Sequence, residues 1–146
     1  VGLGPPVIIY SPGRRSSVWR KISVRRRMRA VVGGYVEGEG GRARTFGSLL
    51  LGLWNEERLE FVGAVGSGFD EQTLRAIKQT LIELETEESP FTPPVRYPGR
   101  LHWVRPAIVV NVEFKEWTVD SNLRAPVYKG VEVADVSEIT FESEGP

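Results

Sequence analysis

The 146-residue chain is predicted to form a mainly β fold in which one helix interrupts a series of strands. Three observations predict this class. Sixteen glycines and ten prolines indicate many turns. Segments rich in β-branched and aromatic residues lie between those turns. Near the middle of the chain, the spacing of the apolar residues changes to that of a helix.

The first half of the chain predicts three strands. Residues Arg29–Val36 combine β-branched and aromatic side chains with two glycines, which predicts a strand with a bend. A flexible, glycine-rich loop over residues 37–44 follows it. Thr45–Trp54 and Leu59–Gly66 are then predicted to pair as a hairpin around a turn at residues 55–58.

The helix is predicted to begin after Asp70, because an aspartate carboxylate can cap the first turn. It is predicted to end at Ser89-Pro90, because the residue before a proline avoids helical backbone angles. Its apolar side chains recur at helical spacing and form one stripe, which consists of Leu74, Ile77, Leu81 and Leu84.

Strands return in the last third of the chain, after a proline-rich connection at Phe91–Arg100. Ile108–Trp117 alternates between apolar and polar residues, which is typical of a half-buried strand. The apolar side chains on one of its faces are Val110, Val112 and Phe114. A turn at residues 120–122 precedes a last strand near Leu123–Tyr128. Several strands around a core, with one helix between the third and fourth, predict an OB-fold β-barrel.

Charge is segregated along the chain, although the formal net charge is zero. Residues 1–48 hold ten basic and two acidic side chains, a net charge of +8, whereas residues 131–146 hold five acids and no base. This asymmetry indicates an anionic partner for the first third of the chain. The alternative is a basic surface that faces only solvent.

Composition excludes several kinds of site. The chain has no cysteine, which excludes a disulfide framework, a thiolate metal site and a cysteine nucleophile. His102 is the single histidine, so no metal site is expected. No apolar run approaches the roughly 20 residues of a membrane span, and the first residues do not resemble a signal peptide. We therefore expect no membrane association and a cytoplasmic protein.

Ten segments, in a fixed order, carry a resemblance to a known family. They are Pro12–Ile22, Val32–Tyr35, Gly40–Arg42, Phe46–Gly52, Val62–Phe69, Ser89–Phe91, Trp103–Pro106, Val112–Phe114, Glu116–Thr118 and Leu123–Gly130. Together they resemble the C-terminal region of ATP-dependent DNA ligases, most closely the ligase domains of bacterial and archaeal end-joining ligases.

The resemblance implies a division of the chain into three parts. Residues 1–28 resemble a remnant of the motif V region, which ends the nucleotidyltransferase domain of these ligases, and Lys21 would be its nucleotide-phosphate residue. Residues 29–130 would be the OB-fold domain. Residues 131–146 would be an acidic tail in place of motif VI.

Three departures from the family pattern concern the handling of ATP. The nucleophilic lysine of the family's Lys-x-Asp-Gly motif has no counterpart here. Ser23 stands at the second lysine of motif V. By straight spacing, Glu132 and Asp135 stand where motif VI has its arginine and its lysine, and two acids would repel a triphosphate. We expect the isolated chain to be inactive and to hold no cofactor of its own; ATP and Mg²⁺ are implied for the complete ligase family.

The candidate DNA contacts are basic residues, because the fork of an arginine guanidinium matches a phosphate. The candidates are Arg14, Arg15, Arg42 and Arg44, with Lys115 and Lys129 as weaker ones. The glycines of residues 37–44 would let the backbone approach a duplex closely; the alternative is a surface hairpin tip without a ligand. The four arginines between residues 25 and 29 would alternate faces on a strand, so at most two would point at one ligand.

Two functions remain open at this point. The chain would be the domain of a DNA ligase that clamps nicked duplex DNA during strand joining in repair or end joining, beside a missing or separate nucleotidyltransferase domain. Alternatively, it would be a stand-alone, non-enzymatic OB module that binds DNA or self-associates as a homodimer. In both cases we expect a prokaryotic, nucleoid-associated protein.

Overall fold

A computed structural model describes residues 25–42 and 44–145. Residues 1–24 of the predicted motif V remnant (residues 1–28), with Arg14, Arg15, Lys21 and Ser23, lie outside these residues. The strands are β1 (Arg26–Glu37), β2 (Phe46–Asn55), β3 (Arg58–Val65), β4 (Glu85–Thr86), β5 (Leu101–Phe114), β6 (Glu116–Trp117), β7 (Leu123–Arg124) and β8 (Val127–Glu132). The helices are α1 (Glu71–Leu84) and α2 (Phe141–Glu144), and 3-10 turns span Gly40–Arg42 and Val136–Glu138.

The strands form one antiparallel sheet in the order β3-β2-β1-β5-β4, with β8 also paired to β5 and a small β6-β7 pair beside it. This confirms the predicted mainly β class with one main helix after the third strand, and it is consistent with an OB-fold. Within the described residues, no ladder joins β3 to β8. Their ends are linked instead by the Tyr128 backbone N–H, which donates to the Ser67 carbonyl at 2.9 Å.

The predicted β2-β3 hairpin is confirmed. Asn55 pairs with Arg58 across a tight turn, and Glu56 takes a φ of 58° there. β1 bends at its glycines as predicted, because its register with both neighbours shifts between Val32 and Gly34. The ring of Phe91 packs against Gly33 and Gly52. A Cβ atom at these two positions would lie 2.5 Å and 2.8 Å from the ring, so glycine leaves the space that the ring occupies. The proline-rich connection is thereby anchored on the sheet.

The Asp70 cap of α1 is confirmed, because its carboxylate accepts the Thr73 backbone N–H at 2.7 Å. The predicted apolar stripe faces the core, with Leu74, Ile77 and Leu81 buried. No helix in the described part of the chain is long and apolar enough to cross a bilayer.

The predicted end of the helix at Ser89-Pro90 is wrong, since α1 ends at Leu84. The next two residues, Glu85 and Thr86, leave the helical conformation to pair with Val104 and Trp103 of β5. Long-range strand pairing therefore ends the helix before the proline does.

The strand predicted at Ile108–Trp117 is longer at its start than predicted. β5 begins at Leu101 because it pairs with β1 along nearly the whole length of that strand. Its predicted apolar face is confirmed, since Val110, Val112 and Phe114 are all buried. The predicted last strand is divided into β7 and β8 at Ala125, which takes a φ of 54°.

The last residues of the chain pack onto the sheet. β8 continues past residue 130 to Glu132, and residues 133–145, the C-terminal segment, then turn back toward β2. Ile139 in this segment is fully buried, and its carbonyl accepts the Trp54 backbone N–H at 3.0 Å. Thr140 caps the short helix α2 that follows. The segment thus joins the hydrophobic core.

Candidate nucleic-acid interface

Arg25, Arg27 and Arg29, called here the strand arginines, meet carboxylates of the same chain. On β1, Arg27 lies opposite Glu113 of β5, and its Nε donates to the Glu113 carboxylate at 3.0 Å. Arg25 approaches the same carboxylate at 3.8 Å and also donates to the Ala125 carbonyl. Both arginines therefore share one carboxylate with Lys129, and Glu113 offsets only part of their positive charge.

Arg29 is held by the C-terminal segment. Its guanidinium donates to one oxygen of Glu144 at 2.9 Å, and its backbone N–H donates to the other at 2.8 Å. The Glu144 side chain is only 10% exposed. Burial alone would raise the pKa of Glu144, but the hydrogen bonds from Arg29 lower it overall. An acid from one end of the sequence thus neutralises an arginine from the other.

The loop between β1 and β2 holds Arg42 and Arg44 in different surroundings. Arg42 is half-buried; its Nη1 donates to the carbonyls of Gly47 at 3.1 Å and Gly66 at 2.6 Å, and its guanidinium lies over the Phe69 ring. These contacts bind the loop to the sheet. Arg44 is exposed and has no ion pair within the described ranges.

Arg44 borders an open pocket between this loop and the first turns of α1. The pocket has a volume of about 310 Å³. This pocket is called here the loop pocket. The residues that line it include Gly40, Gly41, Arg44, Thr45, Glu71 and Arg75. Arg75 and Glu71 form an ion pair one helical turn apart, with 71% and 75% of their side chains exposed. Sequence reasoning missed Arg75, because nothing in its local pattern separates it from an ordinary exposed helix residue.

Lys78 ties α1 to the end of the same loop. Its Nζ donates to the Thr45 carbonyl at 3.1 Å and lies 4.5 Å from the centre of the Tyr35 ring. Burial and a hydrogen bond to Glu85 raise the pKa of Tyr35 to about 12. The tyrosine therefore stays uncharged beneath the loop at physiological pH.

His102 stacks on Tyr35 at 4.8 Å and lies between two carboxylates. Its Nε2 is 2.9 Å from Glu37 and its Nδ1 is 3.4 Å from Glu85. The hydrogen bond to His102 lowers the pKa of Glu37. His102 thus links Glu37 at the end of β1 to Glu85 at the end of α1. Its being the single histidine of the chain did not suggest this role.

The other two predicted DNA contacts lie at the opposite end of β1 from Arg44. Lys129 is 3.9 Å from Glu113, which faces Arg27 near the start of β1. Exposed Lys115 follows β5 directly. From Arg27 to the loop is roughly 30 Å along an extended strand. The structure therefore brings Arg42 and Arg44 together but separates them from Lys115 and Lys129.

Glu132 and Asp135, which straight spacing predicts to stand at the motif VI positions, have partners within the chain. Glu132 accepts a hydrogen bond from the Asn111 side-chain amide. Asp135 caps a 3-10 turn by accepting from the Ser137 N–H at 3.0 Å, and this bond lowers the pKa of Asp135. Two carboxylates held in this way do not fit a nucleotide triphosphate. The described residues contain no group of three or more histidine, aspartate or glutamate side chains that could hold a metal ion.

Comparison with protein families gives a match over more than half of the chain. A family model described as the ATP dependent DNA ligase C terminal region matches residues 42–133. The chain is 44% identical over 124 residues to the multifunctional non-homologous end joining protein LigD of Mycolicibacterium smegmatis. It is 37% identical over 135 residues to the LigD protein of Pseudomonas aeruginosa.

These relatives are much longer than the chain. The alignments cover 84% and 88% of this chain but 16% of each relative, so the chain spans about a sixth of their length. Among solved structures, the ligase domain of LigD from M. tuberculosis is similar, with a TM-score of 0.73 and 34% identity. That match covers 80% of this chain and 38% of the solved chain.

Proposed function

The chain belongs to the family of ATP-dependent DNA ligase C-terminal regions, and from this premise we propose that it is the DNA-gripping domain of a ligase. In this role it clamps nicked duplex DNA during strand joining, and the names of its relatives suggest non-homologous end joining as the setting. A nucleotidyltransferase domain, within a longer protein or separate, supplies the covalent chemistry.

The observation that best supports this role is the loop between β1 and β2. Arg42 and Lys78 fasten it to the sheet and to α1, while Arg44 stays exposed beside two glycines. Gripping a duplex requires phosphate contacts from a rigid surface rather than a nucleophile. An arginine on a fastened loop meets that requirement at low entropic cost, because the loop is already ordered.

The sequence around the lysines supports a domain without covalent chemistry of its own. None of the four lysines, Lys21, Lys78, Lys115 and Lys129, stands in a Lys-x-Asp-Gly context. We propose that the chain is not adenylylated, and that ATP and Mg²⁺ act elsewhere in the complete ligase.

A second candidate is a stand-alone, non-enzymatic module that binds DNA. The internal partners of Glu132 and Asp135 favour it, because a segment held by its own domain is not presented to a nucleotide. Supplying a nucleotidyltransferase domain of the same family in trans distinguishes the two. Stimulated nick sealing supports the ligase domain, whereas DNA binding without stimulation supports the module.

The central test is a comparison of nicked duplex, intact duplex and single-stranded DNA in a gel-shift assay with the 146-residue chain. We expect duplex binding that weakens with salt, with a log–log slope of about −0.9 per phosphate contact. Incubation with labelled ATP should leave no covalent adduct. If the chain binds neither duplex at low salt, the proposed DNA-gripping role is wrong.

A further inference from the structure

We propose that the loop pocket is a binding subsite for a phosphodiester of the DNA backbone, held by Arg44 and Arg75 against the backbone of Gly40 and Gly41. This inference rests on the proposed function and names the part of the surface that carries it out. A phosphate group is the common chemistry of a DNA backbone and a free nucleotide. The geometry favours DNA, because the pocket is open on its solvent side.

The two glycines leave room for a close approach. Apart from neighbouring residues of the same turn, no described atom of the protein lies within 4 Å of the Cβ position that a side chain would have at Gly40 or Gly41. Gly40 takes a φ of 57°, which side-chain-bearing residues adopt at a cost. A phosphate oxygen can therefore reach the main chain of this turn, which any larger residue would obstruct.

Two arginines flank that opening from different elements. Arg44 comes from the loop and Arg75 from α1, so a phosphate between them would receive guanidinium donors from two sides. Arg75 already has an anionic partner, Glu71, but both side chains are largely exposed. Exposed ion pairs of this kind are weak, so a phosphate can take the place of Glu71.

The pocket is formed before any ligand arrives. Arg42 binds the loop to the carbonyls of Gly47 and Gly66, and Lys78 binds its end through the Thr45 carbonyl. A pocket fastened at both ends loses little conformational entropy on binding. The arrangement assigns different roles to neighbouring basic residues: Arg42 and Lys78 hold the loop, and Arg44 and Arg75 face the ligand.

The test measures the affinity of the full 146-residue chain for nicked duplex over a range of salt concentrations. Arg44→Gln and Arg75→Gln should each weaken binding roughly tenfold and reduce the magnitude of the salt slope by about 0.9. Glu71→Gln should tighten binding about threefold, because it removes the acid that competes for Arg75. The matched control is Arg58→Gln, an exposed arginine at the β2-β3 turn, which should bind as the parent chain does.

The outcomes separate this inference from the function on which it rests. If the parent chain and both pocket variants bind duplex equally well, the phosphate contacts lie elsewhere. The proposed DNA-gripping role would then stand without this subsite. Parent chain that binds no duplex would overturn both. A parallel titration with ATP covers the other source of phosphate: arginine-dependent ATP binding without duplex binding would overturn the assignment to DNA. The gain in affinity for Glu71→Gln cannot arise from misfolding.

Discussion

The strand arginines and the loop pocket lie at opposite ends of β1, and the fold treats their charges differently. Arg27 and Arg29 point at Glu113 and Glu144, both carboxylates of the same chain. Arg44 points at solvent beside an open pocket. Arg27 and Arg29 thus have anionic partners within the domain, whereas Arg44 is available to a ligand.

This difference shows that charge segregation along a sequence is not charge segregation on a surface. The net charge of +8 in residues 1–48 suggested an anionic partner for that whole stretch. Part of that partner is the chain's own acidic end, because Glu144 reaches back to Arg29. Among the described arginines of that stretch, Arg26 and Arg44 are exposed without an ion pair, and Arg44 also lines the loop pocket.

The largest expected effect concerns the contact that holds the C-terminal segment, and with it Glu144, against the sheet. Ile139→Ala should lower the free energy of unfolding by about 3 kcal/mol, because Ile139 is fully buried and its truncation leaves a cavity. Urea unfolding measures the change. The control Val133→Ala, at a fully exposed position of the same segment, should have little effect. Equal stability of both variants would mean that the C-terminal segment is not part of the core.

Removing the charge of Glu144 should cost about 1.5 kcal/mol at pH 7, because it weakens the bonds to Arg29. The folded pKa of Glu144 lies below its usual value of 4.5, so its contribution is fully present above that value. The contribution disappears as the pH falls through the folded pKa. Unfolding of Glu144→Gln and the parent chain at pH 7 and pH 3 should therefore differ at the first pH and converge toward the second. A difference independent of pH would contradict the ion pair.

Matched substitutions at the two ends of β1 test the difference between the loop pocket and the strand arginines. Arg44→Gln should weaken nicked-duplex binding roughly tenfold, which corresponds to about 1.4 kcal/mol. Arg27→Gln should change it less than twofold, because Arg27 lies at the opposite end of β1 from the loop pocket. Fluorescence anisotropy at fixed salt measures both. A stronger loss for Arg27→Gln would reverse the assignment of the two regions.

The smallest expected effect concerns Arg42. It lies in the same loop as Arg44, but its guanidinium donates hydrogen bonds to acceptors of the same chain. Arg42→Met should lower stability by about 1 kcal/mol, because it leaves the Gly47 and Gly66 carbonyls without this donor. Hydrogen exchange should increase in residues 38–47. The same measurements on Arg44→Met provide the control, with no loss of stability expected for an exposed side chain.

Sequence rules predicted the parts of the fold that depend on near neighbours. The Asp70 cap, the β2-β3 hairpin and the buried face of β5 each follow from residues a few positions apart. The end of α1 did not follow, because Glu85 and Thr86 are drawn into a strand by residues 17 to 19 positions away. Local secondary-structure propensity carries no information about a pairing partner so far along the sequence.

In the candidate site, too, sequence identified individual residues but not the contacts that distant residues make with them. Composition and family resemblance singled out Arg42 and Arg44, but neither distinguishes an arginine that bonds to its own backbone from one that faces solvent. The Gly66 carbonyl that holds Arg42 lies 24 positions along the chain, and Glu144 lies 115 positions from Arg29. Arg75 enters the site only because α1 packs its first turns beside the loop. The positions of Arg14, Arg15 and Lys21 stay predictions.

The placement of Glu144 has a further consequence for the edge of the sheet. β1 pairs with β5 from Arg26 onward, but its pairing with β2 begins only at Val31, so one edge of its first residues is uncovered by any strand within the described chain. Such an edge is a template on which other extended chains can add and aggregate. A carboxylate that takes the Arg29 N–H, carried on a helix too short to extend the sheet, blocks that addition. Glu144 thereby occupies a backbone donor that an added strand would otherwise use.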